Sequence, residues 1–337
     1  MKVAIAGSSG FVGTALLRLL VENKIQIIRL VRDKGMNSDR RSSSYASKNV
    51  VEVKWDPESN YIDTELLETI GLDAIVNLAG ENVHKRWTPA SQKRIRYSRI
   101  KSSALLSKTI LNISKRPKVF VSASGISYYN NIALASGHPT TKSEHENQSS
   151  GRSPLLDESS PAGSGFLSKL AQDWEAATKL EGAMAKFVRI VHLRIGIVLG
   201  FEGGVLAKLL PLFKLGLGAK WGSGRQYMSW ISIHDLARII YFALLNEAIS
   251  GPVNAVTPNP VTNREFTETL GKVLSRPTPF TIPSGLAKLL FGGEWAESTL
   301  LADYRIQPAI LARNGFKFNY PKLEPFLREE IRRRANT

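Results

Sequence analysis

Apolar residues along this chain come in short runs, and helical-looking stretches separate most of them. "KVAIAG" (2–7) is one such run, and "FVGTALLRLLVENK" (11–24) follows it with apolar positions at helical spacing. "IQIIRLV" (25–31), "NVVEVKW" (49–55), "LDAIVNLAG" (72–80), "PKVFVSAS" (117–124) and "KFVRIVHLRIGIVLG" (186–200) read as five further strands. Strand, helix, strand at this spacing predicts parallel strands joined by crossovers, hence an α/β fold on a doubly wound sheet. One helix is well marked: Thr88 can cap it, Pro89 suits its first position, and the run continues to about Ile113. Residues 130–164 break the pattern, being rich in Ser, Asn, Gly and Pro, and predict a long surface loop or lid. After Gly200 the character changes. "TNREFTETLGKVL" (262–274) reads as a capped helix, and "PAILARNG" (308–315) as another ended by Gly315. The expected division is residues 1–200 as one domain and 201–337 as a smaller C-terminal α/β lobe with a helical module.

The first strand–helix junction carries the most specific signal. In "AIAGSSGFVGTALL", Gly7, Gly10 and Gly13 are separated by two residues each. Placed between a strand and a helix, with a second strand within about thirty residues, such a loop reads as Rossmann-like dinucleotide binding. One glycine permits the tight turn, another the approach of backbone to a diphosphate, and the third close packing of helix on strand. The helix start then offers free N–H groups and a positive dipole end. Ser9, Phe11 and Val12 join the three glycines as candidate contacts. The second strand ends "RLVRD". Arg32 there suits the 2′-phosphate of NADP, while Asp33 keeps NAD open, because an acid at this place holds a ribose hydroxyl. The small residues of "NLAG" (Asn77 to Gly80) can run beside the cofactor. Ser124 ends the fifth strand, where the extended short-chain dehydrogenases/reductases that this region resembles carry a hydroxyl for a substrate oxygen, which makes it the candidate for that role.

Charge and composition narrow the classes. The 337 residues carry a formal net charge of +16, which favours anionic partners. The positive charge gathers in two places: seven basic residues and no acid between Lys85 and Lys101, and Arg328, Arg332, Arg333 and Arg334 in the tail. No aromatic–basic motif of the RNA-recognition kind accompanies them, so nucleic acid is not the expected partner. With no cysteine, disulfides and thiolate chemistry are excluded. The histidines lack metal-ligand spacing, so no metal is expected. No run of eighteen apolar residues exists, and strand-like residues begin at Lys2, so neither a membrane span nor a secretory leader is expected. Cytoplasm and a mitochondrial or plastid matrix both fit.

Longer strings carry a closer likeness: "WDP", "DAIVNLAGENV", "KRWTPASQKRI", "YSRIKSS", "RIGIVLG", "GSGRQYMSWISIHDLARII" and "LLADYRIQPAILARNGFKFNYP". With the GxxGxxG spacing, they resemble the epimerase-like branch of the extended short-chain dehydrogenases/reductases called family 39U. The likeness runs from Met1 to about Leu327, interrupted by the 130–164 loop. It implies a nucleotide-binding domain of epimerase/dehydratase type, a C-terminal module of unassigned role, and NADP-dependent oxidoreductase or epimerase chemistry on an unidentified small molecule. It further implies cofactor contacts at Gly7, Gly10, Gly13, Val31, Arg32, Leu78, Ala79 and Arg99. Ordinary members need a Tyr and a Lys four residues apart on one helix face. In the matching "GSGFLSKLAQDWEAA" Lys169 is present, but Gly165 stands where the Tyr would be. The dyad is broken. Tyr128 and Tyr129, which follow Ser124 closely, and the His234–Asp235 pair are the candidate substitute proton carriers. Arg194, Arg225 and His234 are candidates for holding a polar or anionic substrate group. A non-catalytic dinucleotide-binding scaffold or redox sensor is the competing reading, and a homodimer is left open.

Overall fold

The computed structural model describes residues 1–32, 50–83, 87–129, 153–181 and 186–335. Asp33, Lys85, Arg86 and the 130–152 part of the expected lid lie outside the described residues. The elements in chain order are β1 (Lys2–Ala6), α1 (Phe11–Glu22), β2 (Gln26–Val31), β3 (Val50–Asp56), β4 (Tyr61–Ile62), α2 (Thr64–Ile70), β5 (Ala74–Asn77), α3 (Pro89–Asn112) and β6 (Val119–Gly125). A 3₁₀ turn (Ile126–Tyr128) precedes α4 (Phe166–Ala176), β7 (Arg189–Ile195), β8 (Ile197–Leu199), α5 (Gly204–Lys214), β9 (Ala219–Trp221), β10 (Tyr227–Met228) and β11 (Trp230–Ser232). Then come α6 (Ile233–Leu245), β12 (Gly251–Ala255), β13 (Val261–Thr262), α7 (Asn263–Leu274), β14 (Phe280–Ile282), α8 (Ser284–Phe291), α9 (Gly293–Ser298), α10 (Ala309–Arg313) and α11 (Leu323–Ala335).

Eight strands form one sheet in the order β12-β7-β6-β5-β1-β2-β3-β4. The β1–β2, β2–β3, β1–β5 and β5–β6 pairs are parallel, and the two-residue β4 closes one edge antiparallel to β3. The chain runs outward from β1 through β2 and β3, then restarts on the other side at β5. The β1/β5 junction is therefore the topological switch point, where open α/β sheets bind ligands. The α3 start matches its sequence signals: the Thr88 hydroxyl accepts from Ser91 N while Ser91 Oγ accepts from Thr88 N, and Pro89 takes the first position. The expected sixth strand is two elements. It breaks at Gly196, where a Cβ would stand 2.6 Å from Ser229 O, and β8 turns away to pair with β11.

Two compact units share the chain. The first holds Met1–Ser124, Leu170–Leu193 and Ala237–Val253; the second holds Gly125–Lys169, Arg194–Leu236 and Asn254–Thr337. The units exchange segments along the chain, where the sequence reading draws one boundary at Gly200. In the first unit, Ile28, Val53, Trp55, Ile75, Leu105, Ile110 and Phe120 form a buried cluster. In the second, Leu206, Leu210, Phe213, Trp230, Phe266, Leu270 and Phe326 form another, with the Trp230 and Phe326 ring centroids 5.6 Å apart. Each such side chain removed from water contributes about 1.5–3 kcal/mol. Residues 153–164 are fastened rather than loose: Leu156 bridges to Ile306, and the Glu158 carboxylate is buried, accepting from Asn254 N and Ile310 N at 3.0 and 3.2 Å.

Candidate nucleotide site and its neighbours

In the first unit, Gly7 leaves β1 with φ +78°, and Leu78 N binds Ala6 O at 2.9 Å. The ends of β1 and β5 thus close on each other, and a Cβ on Gly7 would lie 2.7 Å from the Leu78 carbonyl. A Cβ on Gly13 would lie 2.2 Å from Gly7 O, so α1 packs directly on its own loop. Gly10 differs, because its nearest would-be contact is Gly7 O at 3.3 Å and its φ is −74°. It caps α1 with no side-chain hydrogen bond. Asn77 sets the opposite wall. It is fully buried; its amide donates to Ser103 Oγ at 2.9 Å, and its Oδ1 accepts from Ala79 N at 3.1 Å, which shapes the Leu78–Gly80 turn.

A cavity of about 880 Å³ opens there, lined by Gly7, Ser8 and Ser9 from the loop, by Arg29 and Val31 from β2 and by Arg32 just past its end. Trp55, Glu58, Ala79, Gly80 and one face of α3 complete it. Of the predicted contacts, Gly7, Ser9, Val31, Arg32, Ala79 and Gly80 line this space, whereas Gly10, Phe11, Val12 and Gly13 form the head of α1 and Leu78 lies against Gly7. Arg99 does something else. Its Nη1 donates to the Glu81 and Ile95 carbonyls at 2.9 and 3.0 Å, and its guanidinium stacks 4.9 Å from the Trp174 ring. Burial pulls it down to about 10, against the opposing charge of Glu81, so it stays cationic at neutral pH. It props Gly80, whose would-be Cβ meets Arg99 Cζ at 3.1 Å.

Two residues here escaped the sequence reading. Arg29 is buried under the loop, its Nε donating to Ser8 Oγ at 3.2 Å and its Nη1 pairing with Glu52 at 2.8 Å. The signal was a charge inside an otherwise apolar strand. Ser124, at the carboxyl end of β6, is buried and donates to Glu175 Oε1 at 2.8 Å. Glu175 had no marker beyond being an acid beside the buried Trp174.

The second unit gathers the other candidates. The Arg194 guanidinium lies 3.4 Å from the Tyr128 ring centroid, and its Nη1 donates to Tyr129 Oη at 3.0 Å. Tyr129 in turn donates to Asn254 Oδ1 at 2.7 Å. Burial pushes the Tyr129 phenol up to about 12, although Arg194 acts in the opposite sense. Lys169 is exposed on α4, and the missing side chain of Gly165 leaves open space. His234 pairs with Glu330 at 2.6 Å, and Asp235, fully buried, accepts from Asn319 N and Tyr320 N. Arg225 lines a separate cavity of about 730 Å³ with Arg264, Lys288, Thr262 and Asp303. The tail arginines lace α11: Arg328 pairs with Glu324, and Arg332 and Arg333 with Glu329. Among the described residues, no helix is long and apolar enough to cross a membrane.

The glycine cradle at a switch point defines a Rossmann-like dinucleotide-binding protein. Comparison with known proteins agrees: the model of the "NAD dependent epimerase/dehydratase family" matches residues 3–255, and a domain of unknown function, DUF1731, matches 282–330. "Epimerase family protein ML0860" of Mycobacterium leprae is 39% identical, covering 94% of this chain and 92% of its own. Human "Epimerase family protein SDR39U1" is 34% identical over 98% of this chain and all of its own. The crystal structure of the human protein (isoform 2) with NADPH superposes with a TM-score of 0.78 at 31% identity, covering 98% of this chain and 99% of that one. The chain belongs to the NAD-dependent epimerase/dehydratase family, as an epimerase-family protein of the SDR39U1 kind.

Proposed function

We propose that this protein is an NADP-dependent oxidoreductase or epimerase in which Ser124 and Glu175 stand in for the broken tyrosine–lysine dyad. The NADPH bound to the human relative supports the cofactor. The cradle suits it: Gly7, Gly10 and the free N–H groups heading α1 would receive the diphosphate, Arg32 the extra phosphate, and the Leu78–Gly80 turn the ribose. When bound, the nicotinamide supplies or takes up a hydride. The protein's own part is the proton. Ser124 Oγ already gives its hydrogen to Glu175 Oε1 at 2.8 Å, so its lone pairs are left to accept from a substrate hydroxyl. As that hydroxyl becomes a carbonyl, its proton passes to Ser124 Oγ and the serine proton to Glu175; reduction runs the same path backwards.

The Ser124–Glu175 hydrogen bond carries this reading. A panel of alcohols, carbonyls and sugar nucleotides, followed at the absorbance of NADPH, tests it. Turnover by the native protein should fall roughly 100-fold or more in Ser124→Ala and Glu175→Gln, with NADPH affinity kept. Tight NADPH binding without turnover on any substrate would defeat the catalytic reading. The open space at Gly165 favours the competing scaffold reading, for which a partner pull-down must change between NADP and NADPH.

A further inference from the structure

The nucleotide cavity has a wall that the glycine loop and Arg32 do not account for. From α3 it takes Ala90, Lys93, Arg94, Tyr97, Ser98 and Lys101, at the three- and four-residue spacing of a single helix face. Three of these six are cations. Two flank the ring of Tyr97: Lys93 Nζ and Lys101 Nζ lie 5.6 and 5.9 Å from its centroid. Opposite stands the turn that ends β3, "DPES" (56–59). Lys101 Nζ reaches Glu58 Oε2 at 2.5 Å. Arg32, just past the end of β2, lines the same cavity as Glu58. One cation at the strand tip and one on the helix therefore share the cavity with the Glu58 carboxylate.

The lining as a whole holds five cations, Arg29, Arg32, Lys93, Arg94 and Lys101, against the carboxylates of Glu58 and Glu81. Of these, Arg29 pairs outside the lining, with Glu52 at 2.8 Å. An excess of positive charge in a concave site is suited to a polyanion. The lysine–glutamate pair is half-exposed, and such pairs are weak in water. A phosphate dianion offers an ammonium more charge and more acceptors than one carboxylate does.

We propose that Lys101, backed by Lys93 and Tyr97, is a second determinant of NADP over NAD. The extra phosphate lies between Arg32 and Lys101, and it takes the place that Glu58 holds on the ammonium. Glu58 is then an internal competitor that keeps the site charge-balanced until the phosphate arrives. This inference rests on the NADP reading above, and it concerns binding only.

Calorimetric titration with NADPH and NADH tests it, on the native protein and on Lys101→Met, Lys101→Arg, Glu58→Gln and Arg32→Ala. Lys101→Met should raise the NADPH dissociation constant about tenfold and leave NADH unchanged. Lys101→Arg should keep NADPH affinity, and Glu58→Gln should tighten NADPH severalfold with no change for NADH. The fall of NADPH affinity between 50 and 200 mM salt should be shallower in Lys101→Met. If Lys101→Met changes both cofactors alike, or neither, Lys101 is only a surface ion-pair partner and the inference is overturned. If Arg32→Ala abolishes the preference while Lys101→Met keeps it, the inference fails and the NADP reading survives. If the native protein binds neither cofactor, or prefers NADH, both fall together.

Discussion

Replacing the three loop glycines one at a time with alanine should separate two jobs that the loop performs. At Gly13 the new methyl would sit 2.2 Å from Gly7 O, 2.7 Å from Ser8 Cα and 2.8 Å from Ser8 C. All three are backbone atoms, and the first lies more than 1 Å inside ordinary contact. No flexible side chain can yield, so α1 must lift off the sheet or the loop must be rebuilt. Overpacking a tight site costs about 1–3 kcal/mol, and this overlap belongs at the top of that range. At roughly 2–4 °C per kcal/mol for a domain of this size, Gly13→Ala should melt about 6–12 °C lower. Gly7→Ala meets Leu78 backbone at 2.7 Å, and the residue must also hold φ +78°, which adds about 1–2 kcal/mol for an L-residue. Gly10→Ala is the discriminating member. Its φ of −74° suits any residue and its only close contact is 3.3 Å, so stability should change by less than about 1 kcal/mol. If Gly10 serves the approach of a diphosphate, the same variant should nonetheless lose NADPH affinity in calorimetry. A Gly13→Ala protein that melts like the native one would refute the packing argument. A Gly10→Ala protein that binds NADPH as well as the native one would refute the assignment of the loop to a diphosphate.

Further outcomes follow from the second unit. Tyr129 and Tyr304 are both raised to about 12 by burial, against about 10 for an unfolded tyrosine. Their contribution to stability is complete below pH 10 and is lost as pH rises from 10 to 12, because the unfolded chain gives up those protons first. Urea midpoints should therefore fall across that window and hold steady from pH 8 to 9.5; a flat profile to pH 12 would contradict the burial. Tyr129→Phe should flatten part of the alkaline loss, yet cost about 1–3 kcal/mol at pH 7, since Arg194 and Asn254 lose a buried partner. Asp235→Ala leaves the N–H groups of Asn319 and Tyr320 without their acceptor and should cost roughly 3 kcal/mol by denaturant titration. NADPH affinity should survive that change, and its loss would show that His234–Asp235 does more than hold the second unit together.

What the sequence revealed depended on how far apart the cooperating residues lie. Signals carried by adjacent residues were legible: the Thr88–Pro89 helix start, the Thr262 cap of α7, and Gly315 with φ +75° after α10. Each is satisfied within a few residues, so composition alone specifies it. The long apolar run 186–200 misled because strand propensity says nothing about which neighbour a strand will choose. Gly196 ends β7 only because the Ser229 carbonyl, thirty-three residues later in the chain, occupies the space of a side chain. Residues 153–164 look polar and loose, but Glu158 finds its N–H donors at Asn254 and Ile310, far along the chain.

The same rule governs the charges, and it explains why the basic segment before Lys101 could be located without being interpreted. A count of arginines and lysines does not say which of them meet an acid, a ring or an empty cavity. Arg99, singled out because it replaces a family position, is spent on carbonyls and on the Trp174 ring, and it acts on the site by supporting Gly80. Lys93 and Lys101, on the same helix, face the cavity because they lie at its spacing and Arg99 does not. Arg29, which composition could only mark as odd, is tied to Ser8 inside the glycine loop and to Glu52 on the neighbouring strand. A cation fixed on both sides in this way gives the loop a permanent positive floor. Its removal by Arg29→Met should loosen the loop and weaken both dinucleotides alike, in contrast to the selective loss expected from Lys101.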